Sequence, residues 1–380
     1  MTRELLSLDF YGNEMIAALA ELDEKTDTLR LKQVSRRKSR FLVGGRVNSR
    51  EEARQDMQAL LAGIVPDGLK KIPVIAGIRG AWLSFKRSSG FESISRRNHS
   101  FTSQNVQAAL HNSIPTALNN TLEVIDILPQ AYTVDGNTGI INPVGLPGFT
   151  LEVETFLSIA PEAQLSLLTH LLQACGSETF QVYASSVAQG HQLLSPAEKQ
   201  AGALLIDVGE SSTSAVMYHK GTLLEAWEIS SGEKCLSQAI ADLLQNDLDT
   251  AQEVLQTYQP GTDEMIDEAL TQAKTNLVLS IQRALQQRVL YVKHPPAQLV
   301  LCGQAADKVF LKTCKQILGA RKARLATPTS LFKHAAGAAA PVYAGALALL
   351  GYAVARENND VDTGQPVGLL DTLFDKLGLG

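Results

Sequence analysis

Apolar residues in this chain fall into short continuous runs, broken by Gly, Asp and hydroxyl residues. Between these runs lie stretches in which apolar residues recur every three or four positions. The runs predict buried strands, and the three-to-four spacing predicts amphipathic helices packed on them. Residues 5–8 and 15–19 read as two strands, with Asp9, Phe10, Tyr11, Gly12 and Asn13 as the turn between them. Ser49–Arg50–Glu51–Glu52 is a capping-box start, followed by Ala53, Met57, Leu60 and Leu61 on one helical face. Residues 72–78 form an apolar strand. Thr102 is placed to cap a helix over 103–112, and strand-like runs follow at 122–128, 132–134 and 151–159 around a turn-rich segment, 136–148. Pro161 then starts a helix that Gly176 stops.

In the middle of the chain the pattern repeats. The apolar run 203–206 leads into Asp207, Gly209 and the hydroxyls Ser211, Ser212, Thr213 and Ser214, and a second apolar run follows at 215–217. Gly221 and Gly232 flank a strand at 223–229. Leu236, Ile240, Leu243 and Leu244 are spaced for one helix, and Ile266 to Ile281, capped by Thr262, for a longer one. Residues 299–301 form a strand running into Cys302, Gly303, Gln304 and Ala305. Two strands joined by a turn that begins Asp-x-Gly bring backbone N–H groups and small hydroxyls up to a phosphate. Asp and Gly are also generic turn residues, so the central segment alone fits an ordinary polar hairpin better.

At 380 residues there is room for two or three domains, and 45% hydrophobic with 19% charged residues is a soluble globular composition. A net charge of −5 argues against a general nucleic-acid binder. The cluster Arg36, Arg37, Lys38 and Arg40 reads as a solvated loop. Four cysteines far apart make no ligand set or disulfide framework, which predicts no metal site and a reduced, cytoplasmic chain. The N-terminus carries charges where a secretory signal would be apolar. Residues 335–355 hold 21 residues without a charge, but they are mostly Ala and Gly and include Pro341, which predicts a buried helix starting there rather than a membrane span.

Three strand-to-turn sites, at Asp9, Asp207 and Gly303, recur in an order that resembles the actin-like ATPase superfamily. Within it the chain is similar to the FtsA family of bacterial cell-division proteins. LPQAYTVDGNTGIINPVGLPGFTLEVE (residues 128–154) resembles that family's own segment; IAGIRG (75–80), SPAEK (195–199) and PVY (341–343) are similar too. The resemblance implies an α/β actin-like ATPase fold of two related, ribonuclease H-like halves with a small α+β insertion. It implies a first lobe at 1–84 and 160–200, an insertion at 85–159, a second lobe at 201–244 and 298–355, a helical subdomain at 245–297, and a linker with a terminal helix at 356–380. By the same resemblance ATP and Mg would be held by Asp9, Gly12, Asn13, Asp207, Gly209, Glu210, Ser211, Ser212, Gly232, Gln252, Gly303, Gln304 and Ala305.

The pocket motifs depart from the family. Tyr11 stands where the first turn has a glycine, and a Cβ and ring enter a place with little room. Glu210 sets a carboxylate against the phosphates, a repulsion of ~4 kcal/mol for unit charges about 4 Å apart at an effective dielectric near 20. The family's Ala-Glu-x-x-Lys appears as Ala251–Gln252–Glu253–Val254–Leu255. These changes predict weakened or lost ATP binding. The alternative is a retained Mg–nucleotide with Glu210 on the metal side. No base for activating water can be named, so little or no enzymatic activity is expected.

At the C-terminus, residues 356–366 read as a polar, flexible linker. Leu370, Leu373, Phe374 and Leu377 then make one apolar stripe, with Asp371, Thr372, Asp375 and Lys376 opposite. An amphipathic tail of this kind resembles a membrane anchor, although its charged face is not basic, so a protein groove competes as its destination. The resemblance implies a self-associating scaffold on the inner face of the cytoplasmic membrane at the division septum. It would tether the tubulin-like protein FtsZ, bound by helices at about 245–292. A sugar kinase or chaperone-type ATPase would need intact phosphate turns and a catalytic carboxylate, and a pilus- or secretion-associated scaffold would lack the tail.

Overall fold

In the computed structural model, residues 2–94, 100–116, 118, 120–327, 332 and 340–363 are described. The chain opens with strands β1 (Thr2–Tyr11), β2 (Glu14–Asp23) and β3 (Thr28–Lys38), a short ribbon β4 (Leu42–Val43) and β5 (Arg46–Val47), helix α1 (Arg50–Ala62) and strand β6 (Val74–Ile78). It continues through β7 (Ser84–Ser93), α2 (Ser103–Asn112), β8 (Leu122–Val134), β9 (Asn137–Ile140) and β10 (Thr150–Pro161). Next come α3 (Glu162–Ala174), β11 (Phe180–Ala184), α4 (Ser185–Leu193) and α5 (Pro196–Ala201). The second half runs β12 (Ala203–Val208), β13 (Thr213–His219), β14 (Thr222–Ile229), α6 (Lys234–Leu244), α7 (Leu248–Thr257), α8 (Glu264–Gln286) and α9 (Val289–Lys293). It ends with β15 (Gln298–Gly303), α10 (Lys308–Leu318), β16 (Lys322–Leu325) and α11 (Ala344–Thr363).

Two sheets have the same plan. The first is ordered β11-β6-β1-β2-β3 and the second β16-β15-β12-β13-β14. In each, an antiparallel meander opens the half, one strand joins its first strand in parallel, and a second joins that one in parallel. Parallel neighbours must be buried on both faces, which is why β12 and β15 are nearly unbroken apolar runs. Between the halves lie α4 and α11: Val187, Ala188, Leu347 and Leu350 share one core with Leu205, Val216 and Val300 of the second sheet. The Ala- and Gly-rich composition of α11 follows from that position. A Cβ on Gly345 would strike Asp9 and Arg79, and one on Gly77 would strike Leu349 and Ser185. Among the described residues no helix is long and apolar enough to cross a membrane.

A third sheet, β7-β10-β8-β9, carries α2 on one face around Phe101, Val106, Leu110 and Leu157. The two strands expected at 122–128 and 132–134 are one strand, β8, interrupted by a register shift opposite Glu154 and Thr155. Thr102 caps α2 as expected, with a reciprocal bond from Asn105. Ser49, by contrast, precedes α1 but makes no capping bond, and Asp263 rather than Thr262 caps α8. Arg36, Arg37 and Lys38 are not in a loop; they end β3, the free edge of its sheet, where charge discourages edge-to-edge pairing.

Residues 356–363, expected to open a flexible linker, are helical: α11 continues to Thr363. It is held at 352–357. Arg356 Nη2 donates to the Ile127 carbonyl at 3.0 Å and lies 3.5 Å from the buried Asp126 carboxylate, Tyr352 donates to Asp126, and Glu357 pairs with Arg3. The amphipathic stripe at Leu370, Leu373, Phe374 and Leu377 lies outside the described residues.

Contact between α2 and its sheet depends on Gly90, where a Cβ would overlap the Ala109 carbonyl and lie 2.7 Å from the Ser113 amide. Both obstacles are backbone and cannot rotate away. Gly90→Ala is expected to destabilise the protein by about 1–3 kcal/mol. Urea unfolding checks this, and an unchanged midpoint would contradict it.

Candidate functional site

The chain brings three strand ends together. Strand β1 runs straight through Tyr11, and the turn is only Gly12–Asn13, with Gly12 at φ +67° and Glu14 already paired opposite Tyr11. The expected five-residue turn is thus a two-residue hairpin of the kind that needs positive φ. In the second half β12 ends at Val208, and the loop over 209–212 closes on itself through Gly209 N–H to the Ser212 carbonyl at 2.9 Å. Strand β15 ends at Gly303, φ +97°, where a Cβ would lie 2.5 Å from Asp207 Oδ1 and strike the Val208 backbone. Glycine there lets the third strand end close onto the second.

Asp9 and Asp207 face each other across this junction, and Arg79 stands between them. Its Nη2 donates to Asp9 Oδ2 and its Nη1 to Asp207 Oδ2, both at 2.7 Å. Ser185 donates to Asp9 Oδ1 at 2.7 Å, and Gln189 donates to Asp207 Oδ2. The Tyr11 hydroxyl lies 2.9 Å from Asp207 Oδ1 and 2.8 Å from the Val208 carbonyl, with one proton to give to either, and it accepts from the Gln304 amide at 3.3 Å. All four carboxylate oxygens therefore face protein donors. The Arg79 guanidinium also covers the Tyr11 ring, its carbon 4.3 Å from the ring centre.

Burial sets the electrostatics. Asp9 and Asp207 are at most 1% exposed, and Arg79 is 2% exposed. Burial raises the Asp9 carboxyl above its usual range, while Arg79 and Ser185 pull it back down. For Arg79 burial opposes the charge, but Asp9 and Asp207 outweigh it and hold the guanidinium protonated well above the usual range. Burial and the Asp207 charge push the Tyr11 hydroxyl well up, so it stays a neutral donor. A single cation thus holds together two anions from different halves of the chain. Deleting one member of such a buried group costs roughly 3–5 kcal/mol, since the remaining charges lose their counter-ion.

The other expected site residues separate into those at the junction and those beside it. Gly232 sits under the Gly209 and Glu210 carbonyls, where a Cβ would clash with both. Glu210 reaches back to the first hairpin, so that a Cβ on Gly12 would touch it at 3.6 Å. Asn13, Glu210, Gln252 and Gln304 line a cavity of about 150 Å³ at the mouth of the junction. Ser211 Oγ is buried with no hydrogen-bond partner, and the Ser212 carbonyl is spent on closing its own turn. Ala305 packs into the core of the second half rather than facing the junction.

Sequence reasoning missed Arg79, Glu14 and Glu233. For Arg79 the signal was present: an arginine at the end of an apolar strand, between Ile78 and Gly80, must find buried anions. Glu14 and Glu233 carry no such mark.

Two substitutions test these electrostatics. Arg79→Met should lower stability by about 3–5 kcal/mol in denaturant unfolding, and an unchanged midpoint would contradict the bridge. Glu233 is pushed up to about 7 by burial and by the Glu210 and Glu14 charges. A raised carboxyl binds its proton more tightly in the folded state, so stability is fully present below pH ~4.5 and falls as pH rises through ~7. Glu233→Gln should therefore raise the melting temperature above wild type at pH 8 and not at pH 4.5. An equal effect at both pH values would refute it.

A family model described as the SHS2 domain inserted in FtsA matches residues 80–158. The cell-division protein FtsA of Escherichia coli K12 is 22% identical over 310 residues, covering 73% of each chain. That of Buchnera aphidicola is 20% identical over 308 residues with the same coverage, and that of Bacillus subtilis is 25% identical over 180 residues, 47% of this chain and 41% of its own. Among solved structures, a PilM–PilN type IV pilus biogenesis complex superposes with a TM-score of 0.68 at 17% identity, over 92% of this chain and 98% of that one. MreB5 of Spiroplasma citri bound to AMPPNP superposes at 0.53 and 11% identity, over 95% and 98%. These two superpositions speak for the fold, and the matched insertion together with sequence similarity over about three quarters of the chain makes it similar to the FtsA family of bacterial cell-division proteins.

Proposed function

We propose that this protein is an actin-like cell-division scaffold that works without nucleotide, tethering a tubulin-like division protein of the FtsZ type to the cytoplasmic membrane. The observation that carries the first part is the arrangement of Tyr11 and Arg79. A magnesium–triphosphate needs carboxylate oxygens free to hold cation-bound water, and backbone amides free to meet phosphate. Here Asp9 and Asp207 are committed to Arg79, Ser185, Gln189 and Tyr11, and the Gln304 amide to the Tyr11 hydroxyl. The residues do not fit the nucleotide, and a role in adhesion and assembly suits them better than turnover.

The membrane and partner parts rest on the similarity to that family and on the tail sequence. The stripe at Leu370, Leu373, Phe374 and Leu377 follows a helix fastened to β8 at Arg356, which gives an anchor a mount. Division into two lobes, an insertion and a helical subdomain at 245–297 is likewise part of this reading, with the partner's peptide placed on those helices.

Calorimetric titration of the full chain with ATP and Mg is expected to give no heat of binding at 100 µM protein (on the order of the weakest affinities such a measurement resolves); saturable binding refutes nucleotide independence. Flotation on liposomes of bacterial lipid is expected for the full chain and lost on truncation after 363. Equal flotation of both removes the anchor.

A further inference from the structure

The cavity beside the filled junction has its own chemistry. It measures about 150 Å³, a volume that suits a molecule about the size of benzene. Its walls come from both halves: Glu14 and Lys38 from the first sheet, and Glu210, Glu233 and Lys234 from the second half. The two signs are sorted by depth. Glu14 is 4% exposed, and its Oε2 has no hydrogen-bond partner; one guanidinium, Arg36 Nη1, stands 4.0 Å away. Glu210 and Glu233 are half-buried, whereas Lys38 and Lys234 are exposed at the rim. Burial raises the Glu210 carboxyl above its usual range and both lysines oppose that rise, yet neither makes a direct ion pair among the described residues. No group of three acidic, His or Cys side chains among the described residues could hold a metal ion.

A buried carboxylate oxygen that has a distant guanidinium but no hydrogen bond costs free energy that a hydrogen-bonded cation would recover. Acidic floor, basic rim and a small volume together call for a short molecule with a cation at one end and an anion at the other. We propose that this cavity binds a small zwitterion of the amino-acid class, its ammonium on Glu14 and Glu233 and its carboxylate between Lys38 and Lys234. Ser237 and Gln252 supply a hydroxyl and an amide along its length. Because the walls belong to both halves, the ligand would fasten them together beside the Arg79 bridge. The inference rests on the reading that nucleotide is not the resident ligand here.

The test is a thermal-shift and calorimetric titration of the full chain with γ-aminobutyrate and the standard L-amino acids. Butylamine, butyrate and Mg–ATP serve as comparison probes. At least one zwitterion should raise the melting temperature and bind saturably, while butylamine and butyrate at the same concentration bind at least tenfold more weakly. Glu14→Gln and Lys234→Ala should each weaken that zwitterion tenfold or more, with circular dichroism showing both variants folded. The proposal is overturned if no zwitterion binds, or if binding survives both substitutions. Saturable binding of Mg–ATP would instead sink the nucleotide-independent reading, so the two failures are told apart.

Discussion

One guanidinium holds the two halves of this molecule in register. Arg79 leaves the end of β6 and donates to Asp9 of its own half and to Asp207 of the other, at equal distances of 2.7 Å. Two buried carboxylates facing each other would repel. The guanidinium between them offsets that repulsion, and the strand ends that carry them can close. Tyr11 completes the closure from the side, its ring under the guanidinium and its hydroxyl on Asp207 and the Val208 carbonyl.

That constraint gives the rest of the fold its sense. Each half repeats a meander with two added parallel strands, so each offers one aspartate at an equivalent strand end. Helices α4 and α11 pack between the sheets, and α11 begins so close to Asp9 and Arg79 that residue 345 has room only for glycine. The same helix ends on the insertion, where Arg356 and Tyr352 meet Asp126. One element therefore runs from the charged junction to the point where the tail departs. This chain carries the cation that bridges its two halves in its own sequence.

Much of this was legible in the sequence, for reasons that are local. The apolar runs ending in Asp9, Asp207 and Gly303 read as strand ends because strand length and turn chemistry are written within ten residues. Thr102 announced its helix in the same way. Tyr11 could be seen to displace a glycine, but the destination of its hydroxyl lies 196 residues away. Arg79 could be seen to need buried anions, but which ones was illegible because its partners are 70 and 128 residues distant. The helical extension past Arg356 was missed for the same reason: composition there favours a linker, and the contacts that overrule it come from β8. Local rules found the elements; pairing across the fold decided what the site became.

The most direct measurement of the central claim is a crystal structure of the full chain grown with excess magnesium and a non-hydrolysable ATP analogue. The account predicts Arg79 bridging Asp9 and Asp207, and the Tyr11 hydroxyl on Asp207, with no triphosphate between the two hairpins. A triphosphate seated there, with the Tyr11 ring swung aside and Arg79 released from either aspartate, would contradict it.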